Sequence, residues 1–329
     1  MVTSSPPDRP GLTSTDYRHL FDDLADNVEQ RVRGKAEVVR LALTCLLARG
    51  HLLLEDVPGV GKTLLARSIA ESVGLTFARV QFTADLLPAD ITGAEVYDQA
   101  RNVFEFRAGP LFANVVLADE VNRASPKTQS ALLEAMEEGQ VTVAGTPVAL
   151  PDPFVVIATQ NPVEMAGTYP LPEAQLDRFL LRTRLEYPDP VAEVNILRDH
   201  HEGRHGAALP VALRAGQIRA LLAFTRRVEV SDQVLRYIVE VVAATRAAPG
   251  VALGASPRAG VALLRAARVR AAADGRGYVD PGDVKDLAVP VLAHRLILDA
   301  AGMDGGVLGM ERSIVADIVR RVRIPRGFG

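Results

Sequence analysis

The sequence predicts an α/β fold, a parallel sheet covered by helices on both faces, followed by an all-helical second domain. Three observations predict it. From residue 51 to about 180, short apolar runs bounded by turn residues alternate with helical patterns, the mark of βαβ units whose strands are buried on both faces. Two brief stretches, 94–106 and 140–150, break that rhythm as inserted hairpins. After about residue 185 the strand signal vanishes, and helical spacings recur between glycine and proline breaks.

Residues 1–12 are rich in proline and serine and are expected to be disordered. From Thr15 to about Ala48 the pattern is helical, with Leu20, Leu24 and Val28, then Val38, Leu41 and Leu46, at three- and four-residue spacings; Arg49-Gly50 ends it. HLLLE (51–55) is the first strand, followed by FARVQF (77–82), VVLAD (115–119) and FVVIAT (154–159). Helical patterns at 62–73, 126–138 and 172–180 separate them. AEVYDQARNVFEF (94–106) and QVTVAGTPVAL (140–150) each read as two short strands around a turn, the second near Ala144-Gly145. The second domain reads as helices at 190–203, 213–227, 231–247, 257–273, 281–298 and 311–323. Acidic residues outnumber basic ones before residue 185, and the reverse holds after it. The domain boundary is therefore placed near 185.

Composition narrows the function. A net charge of −3 over 329 residues argues against a protein that coats nucleic acid or a membrane surface. A single cysteine, Cys45, excludes an intramolecular disulfide framework and a multi-cysteine metal site, and fits a reducing compartment. No apolar run approaches a bilayer span, and the first residues lack the basic and apolar regions of a signal peptide. A soluble, cytoplasmic protein is expected. Only four of the 37 basic residues are lysines: Lys35, Lys62, Lys127 and Lys285. In a chain that otherwise writes arginine, a lysine flags a site that needs a compact ammonium.

One of the four lies in DVPGVGKT (56–63), between the first strand and the next helix. Short residues let successive backbone N–H groups turn inward around phosphate oxygens, and the helix offers its N-terminus to the same anion. The cradle is Val57, Pro58, Gly59, Val60, Gly61, Lys62, Thr63 and Leu64; Lys62 would reach the β/γ-phosphates and the Thr63 hydroxyl would ligate Mg²⁺. The usual pattern begins with glycine, whereas Asp56 stands here, a departure at the turn into the loop. A plain glycine turn is the bland alternative.

NVVLADE (114–120) ends a buried strand in two carboxylates. Asp119 suits the Mg²⁺ position of phosphate-loop hydrolases, and Glu120 is placed to polarise the attacking water. In FVVIATQNP (154–162), Asn161 at the tip of an adjacent strand could bond the γ-phosphate or the lytic water.

These residues closely resemble the AAA+ ATPases, and within them the MoxR family. The resemblance rests on LLLEDVPGVGKT, FTADLLPADITGAEVY, LADEVNRASPKTQSALLEAMEEGQVTV, VIATQNPVEMAGTYPLPEAQLDRFLLR and GASPRA, from about residue 30 to 260. It implies a three-layer αβα P-loop (AAA+) core over 13–184 with helix-2-insert hairpins, then an α-helical lid over 185–329. It implies that Asn161 is sensor 1, that Arg178 in LDRF is the arginine finger reaching a neighbouring subunit, and that Arg258 in SPRA is sensor 2, closing the lid on ATP. An ion pair with Asp177 or Glu173 is the structural alternative for Arg178, and Arg182 and Arg184 compete for the finger role. RVRGK (31–35) sits where related proteins line the adenine pocket.

The resemblance further implies a Mg²⁺-dependent ATPase assembled as a homo-oligomer, a hexameric ring, that remodels a separate protein client, often one with a von Willebrand factor A-type (VWA) domain. A nucleotide-gated scaffold with negligible turnover is the alternative, and a DNA-dependent motor ranks below both. The histidine group His200, His201 and His205 reads as a solvated turn rather than a metal site. RAARVRAAADGR (265–276) lacks the interleaved aromatics of a nucleic-acid surface.

Overall fold

The computed structural model describes residues 11–57, 59–143, 145–161, 169–202, 209–299 and 309–325. Pro58, Ala144, Pro162, His205 and residues 1–10 of the expected disordered segment lie outside the described residues. Two helices, α1 (Ser14–Glu29) and α2 (Ala36–Leu47), precede β1 (Leu52–Glu55). Then come α3 (Lys62–Ser72), β2 (Phe77–Gln81), α4 (Pro88–Thr92) and the hairpin β3 (Gly93–Asp98) and β4 (Val103–Ala108). β5 (Val115–Asp119), α5 (Pro126–Glu138), the hairpin β6 (Gln140–Val143) and β7 (Thr146–Ala149), and β8 (Val155–Gln160) follow. α6 (Glu173–Leu176) and β9 (Leu181–Thr183) end the sheet region.

Five parallel strands form the sheet in the order β2-β5-β8-β1-β9. Successive side chains of a strand point to opposite faces, and the core divides accordingly. Leu52, Leu54, Val115, Leu117, Val155 and Ile157 face one apolar cluster, whereas Leu53, Val116, Ala118, Val156 and Ala158 face the other. The second cluster packs under α5 and the β6–β7 hairpin. The first runs through α1, α2 and α3 and continues into the C-terminal helices.

Those helices are α7 (Pro190–His201), α8 (Ala215–Arg227), α9 (Asp232–Arg246), α10 (Pro257–Ala273), α11 (Pro281–Leu292) and α12 (Met310–Arg321). Their starts are written locally. Asp189, Ser231, Ser256 and Asp280 each accept a backbone N–H of the first turn, and proline follows three of them at the first helical position.

Four differences from the expectation have physical causes. The first helical stretch is two helices, parted by a turn in which Gly34 takes φ +71°. The helix expected over 172–180 shrinks to Glu173–Leu176, because Phe179 and Leu180 turn inward to enter the unpredicted edge strand β9. The helix expected over 281–298 stops at Leu292, just past Pro290, which has no N–H to continue the ladder. Within the helical lid, β10 (Val251–Leu253) then pairs antiparallel with β11 (Ile297–Leu298).

The apolar core also crosses the expected boundary near 185. Tyr17 Oη bonds Thr225 Oγ1 at 3.0 Å, Arg265 donates to the carbonyls of Ala48 and Arg49, and Arg182 reaches Glu311 at 2.7 Å. The N-terminal helices thus pack against sheet and lid together.

Candidate active site

The loop after β1 gathers the residues expected to bind phosphate at the carboxyl edge of the sheet. Gly59 and Gly61 take φ of +87° and +98°, which L side chains rarely adopt; a Cβ at Gly59 would meet nothing, so conformation and not space demands glycine. Gly61 caps α3, and no side chain bonds the first turn. The N–H groups there, and the positive end of the helix dipole, face outward for an anion. Lys62 Nζ donates to the Asp56 carbonyl at 3.0 Å, bending back over the loop, and Thr63 follows it on the same turn.

Asp56 explains its departure from glycine. Its buried carboxylate accepts the N–H groups of Leu185 and Glu186, the latter at 3.0 Å, where the chain leaves the sheet for the lid. Burial pushes its carboxyl above the usual range while those N–H groups pull it down. The loop entry and the lid linker are therefore one hydrogen-bonded unit.

Two strands away, Asp119 ends β5 and is almost fully buried. Thr159 Oγ1, from β8, donates to Asp119 Oδ1 at 2.6 Å and accepts the Glu120 N–H at 2.8 Å. Arg79 of β2 holds the other oxygen, Oδ2, at 2.7 Å. Glu120 itself stands at φ +57°, ψ +49°, a left-handed conformation that turns its carboxylate out of the strand, where it pairs with Arg123 at 2.9 Å. Asn161, just past β8, is buried at the same edge. Thr159 and Arg79 escaped the sequence reading; their signal is a polar or charged residue in an otherwise apolar strand.

The chemistry of this set fits a P-loop magnesium site. Thr63 and Asp119 offer hard oxygen ligands, and Mg²⁺ in such sites takes one or two protein oxygens together with phosphate and water. Among the described residues no group of three or more His, Cys, Asp or Glu side chains could hold a metal, and a site completed by phosphates needs none.

Arg178 and Arg258 lie elsewhere. Arg178 Nη2 bonds Glu137 Oε2 at 3.0 Å, and Arg258 Nη2 pairs with Glu137 Oε1. With Arg49, Gly50 and His51 they line a cavity of about 360 Å³ at the amino edge of the strands. From His51, just before β1, to Asp56, just after it, is five residue steps, about 17 Å at the rise of a strand. Arg258 is thus not brought to the P-loop of its own chain. The physical reason is the lid's anchorage: Asp177 accepts from the α10 cap Ser256 at 3.0 Å and pairs with buried Arg295 at 2.7 Å, pinning the start of α10 beside Arg178. Arg178 pairs with neither Asp177 nor Glu173. Arg182 and Arg184 instead meet Glu55, at 3.1 and 3.7 Å, on the P-loop side of the sheet.

Residues 51–181 match the AAA family described as ATPases associated with various cellular activities, and residues 243–318 match the AAA lid domain. Chaperone MoxR1 of Mycobacterium tuberculosis is 44% identical over 292 residues, covering 85% of this chain and 76% of that protein. Protein MoxR of Methylorubrum extorquens is 32% identical, covering 95% of this chain and 97% of its own length. The chain belongs to the MoxR family of AAA+ ATPases. YeaC of Bacillus subtilis, named only as uncharacterized, is 46% identical over 94% of this MoxR-family chain and 96% of its own. The solved structure of an ATPase candidate from Cytophaga hutchinsonii superposes with a TM-score of 0.88 at 39% identity, over 95% and 97% of the two chains. No helix among the described residues is long and apolar enough to cross a membrane.

Proposed function

We propose that this MoxR-family protein is a Mg²⁺-dependent ATP hydrolase whose active site is completed by a second copy of the chain. The observation that carries the reading is the separation of its two halves. Loop, Mg²⁺ ligands and Glu120 share the carboxyl edge of the sheet, while Arg178 and Arg258 stand together at the amino edge. Two unlike faces that complete one site call for head-to-tail contacts, which form a ring where the rotation closes; the MoxR resemblance implies a hexamer.

In that arrangement the loop N–H groups hold the phosphates, and Lys62 exchanges the Asp56 carbonyl for the β/γ-phosphate oxygens. Mg²⁺, held by Thr63 and Asp119, would neutralise phosphate charge. Thr159 fixes the Asp119 carboxylate and the backbone of Glu120; Glu120 releases Arg123 and takes a proton from the attacking water, which Asn161 orients. Arg178 and Arg258 of the neighbour meet the charge that develops on the γ-phosphoryl group. An arginine supplied in this way contributes on the order of 10³–10⁵ in rate. The turnover would drive remodelling of a separate protein client, a VWA-domain protein by resemblance, in the cytoplasm.

Steady-state ATP turnover per subunit, measured with Mg²⁺ from nanomolar to tens of micromolar protein, tests the reading. It should rise steeply and reach a plateau that Arg178→Ala abolishes; an appreciable rate independent of concentration and of Arg178 contradicts it. The pairing of Glu120 with Arg123 favours a second reading, a nucleotide-gated scaffold. Wild-type protein that binds ATP without turnover at any concentration would establish that one instead.

A further inference from the structure

Glu137 lies in the last turn of α5, opposite two arginines from different layers of the molecule. Arg178 comes from the turn before β9, and Arg258 from the first turn of α10 in the lid. One carboxylate oxygen takes each guanidinium. A single negative charge thus holds two positive ones, and among the described residues no second carboxylate pairs with either guanidinium. Both Asp177 oxygens are engaged by Arg295 and Ser256, Arg49 is tied to Asp152 at 2.9 Å, and Arg265 spends its donors on backbone carbonyls. Arg178 Nε is buried and without a hydrogen-bond partner. A paired, under-neutralised set of guanidiniums with an orphaned donor suits a multiply charged oxyanion such as a terminal phosphate.

We propose that Glu137 is a positioning residue of the subunit that donates its arginines. It sets Arg178 and Arg258 at a fixed spacing, so that core finger and lid arginine reach the γ-phosphate of the next subunit together. It also makes the lid's position part of that engagement. The proposal rests on the reading that both arginines act between subunits, and the test keeps the two apart.

Subunits carrying Lys62→Ala keep their arginines, and subunits carrying Arg178→Ala keep their P-loop; the turnover of their mixture is the reference. Glu137→Gln placed in the Lys62→Ala subunits is expected to lower kcat of the mixture about tenfold, with KM for ATP moving less than about threefold. The same substitution in the Arg178→Ala subunits should cost less than about threefold. On the donating side, Arg258→Ala and Glu137→Gln together should lose much less than the product of their separate losses, because they disable one unit. Glu137→Asp keeps the charge on a shorter arm that cannot span both arginines, and serves as the second variant should Glu137→Gln not fold; it should lower kcat in the same place. Unchanged kcat on the donating side, or equal losses on both sides, would overturn the role of Glu137. A mixture inactive before Glu137 is altered would overturn the between-subunit reading instead.

Discussion

Glu120 carries a backbone conformation that a side chain other than glycine enters at a cost of about 1–3 kcal/mol. The Thr159 hydroxyl offsets it, accepting the Glu120 N–H while donating to Asp119. Thr159→Val keeps the shape but leaves that N–H unpaired and one Asp119 oxygen without its donor. We expect kcat to fall by about tenfold or more with ATP binding retained, whereas Glu120→Gln should remove about 10²–10⁴ of the rate, also with binding intact. Nucleotide titration beside steady-state kinetics checks both; loss of ATP binding in step with kcat would contradict them. His51 governs a different property. Its Nε2 bonds the Met136 carbonyl and its Nδ1 accepts the Val156 N–H, and burial lowers its pKa to about 4. The unfolded imidazole binds a proton near pH 6.5, so the unfolded state holds more protons between about 4 and 6.5. Stability is therefore full above that window and falls as pH drops through it, by about 3 kcal/mol for a shift of this size. His294, pushed down by burial and then by Arg295, acts in the same direction. Urea midpoints at pH 7 and pH 5 should differ, and His51→Gln should shrink the difference; equal slopes for the two proteins would refute the assignment.

At the scale of elements, Asp56 ties the loop after β1 to the linker that leads into the lid. Asp56→Ala leaves the N–H groups of Leu185 and Glu186 without their acceptor, a loss of about 2–4 kcal/mol of stability. Nucleotide should then protect the lid less against proteolysis; unchanged stability and protection would refute the tie. Element scale is also where the sequence was most and least readable. β5 and β8 were legible to within a residue because they are wholly apolar runs closed by polar ends. β9 was not, because an edge strand of three residues alternates too briefly to stand out beside the helical pattern before it. The loop glycines, Lys62, Asp119 and Glu120 could be picked out in the sequence by their kind and order, and the structure gathers them at one edge of the sheet. The contacts Arg79–Asp119, Thr159–Asp119 and Glu137–Arg178 were not, since each joins residues about 40 apart whose meeting depends on strand order and helix packing. The position of Arg258 was not legible for a related reason: its motif names the residue, while the lid's anchorage through Asp177 and Arg295 decides the edge of the sheet beside which it stands.

For the whole molecule, one apolar core running from α1 through the sheet face into α10 and α11 joins lid and core. Motion of the lid would therefore move the N-terminal helices, and a subunit that offers arginines at one edge would register nucleotide at the other through Asp56 and the Leu185–Glu186 linker. In the proposed ring each subunit would hold one half of a site and lend the other half to its neighbour. Two variants that are each inactive test it best, Lys62→Ala, which lacks the phosphate-binding ammonium, and Arg178→Ala, which lacks the finger. Mixed in equal amounts, they should recover roughly one quarter of the wild-type turnover per subunit, the share of head-to-tail contacts that join an intact P-loop to an intact finger. A mixture no more active than its two components would contradict a site shared between neighbours.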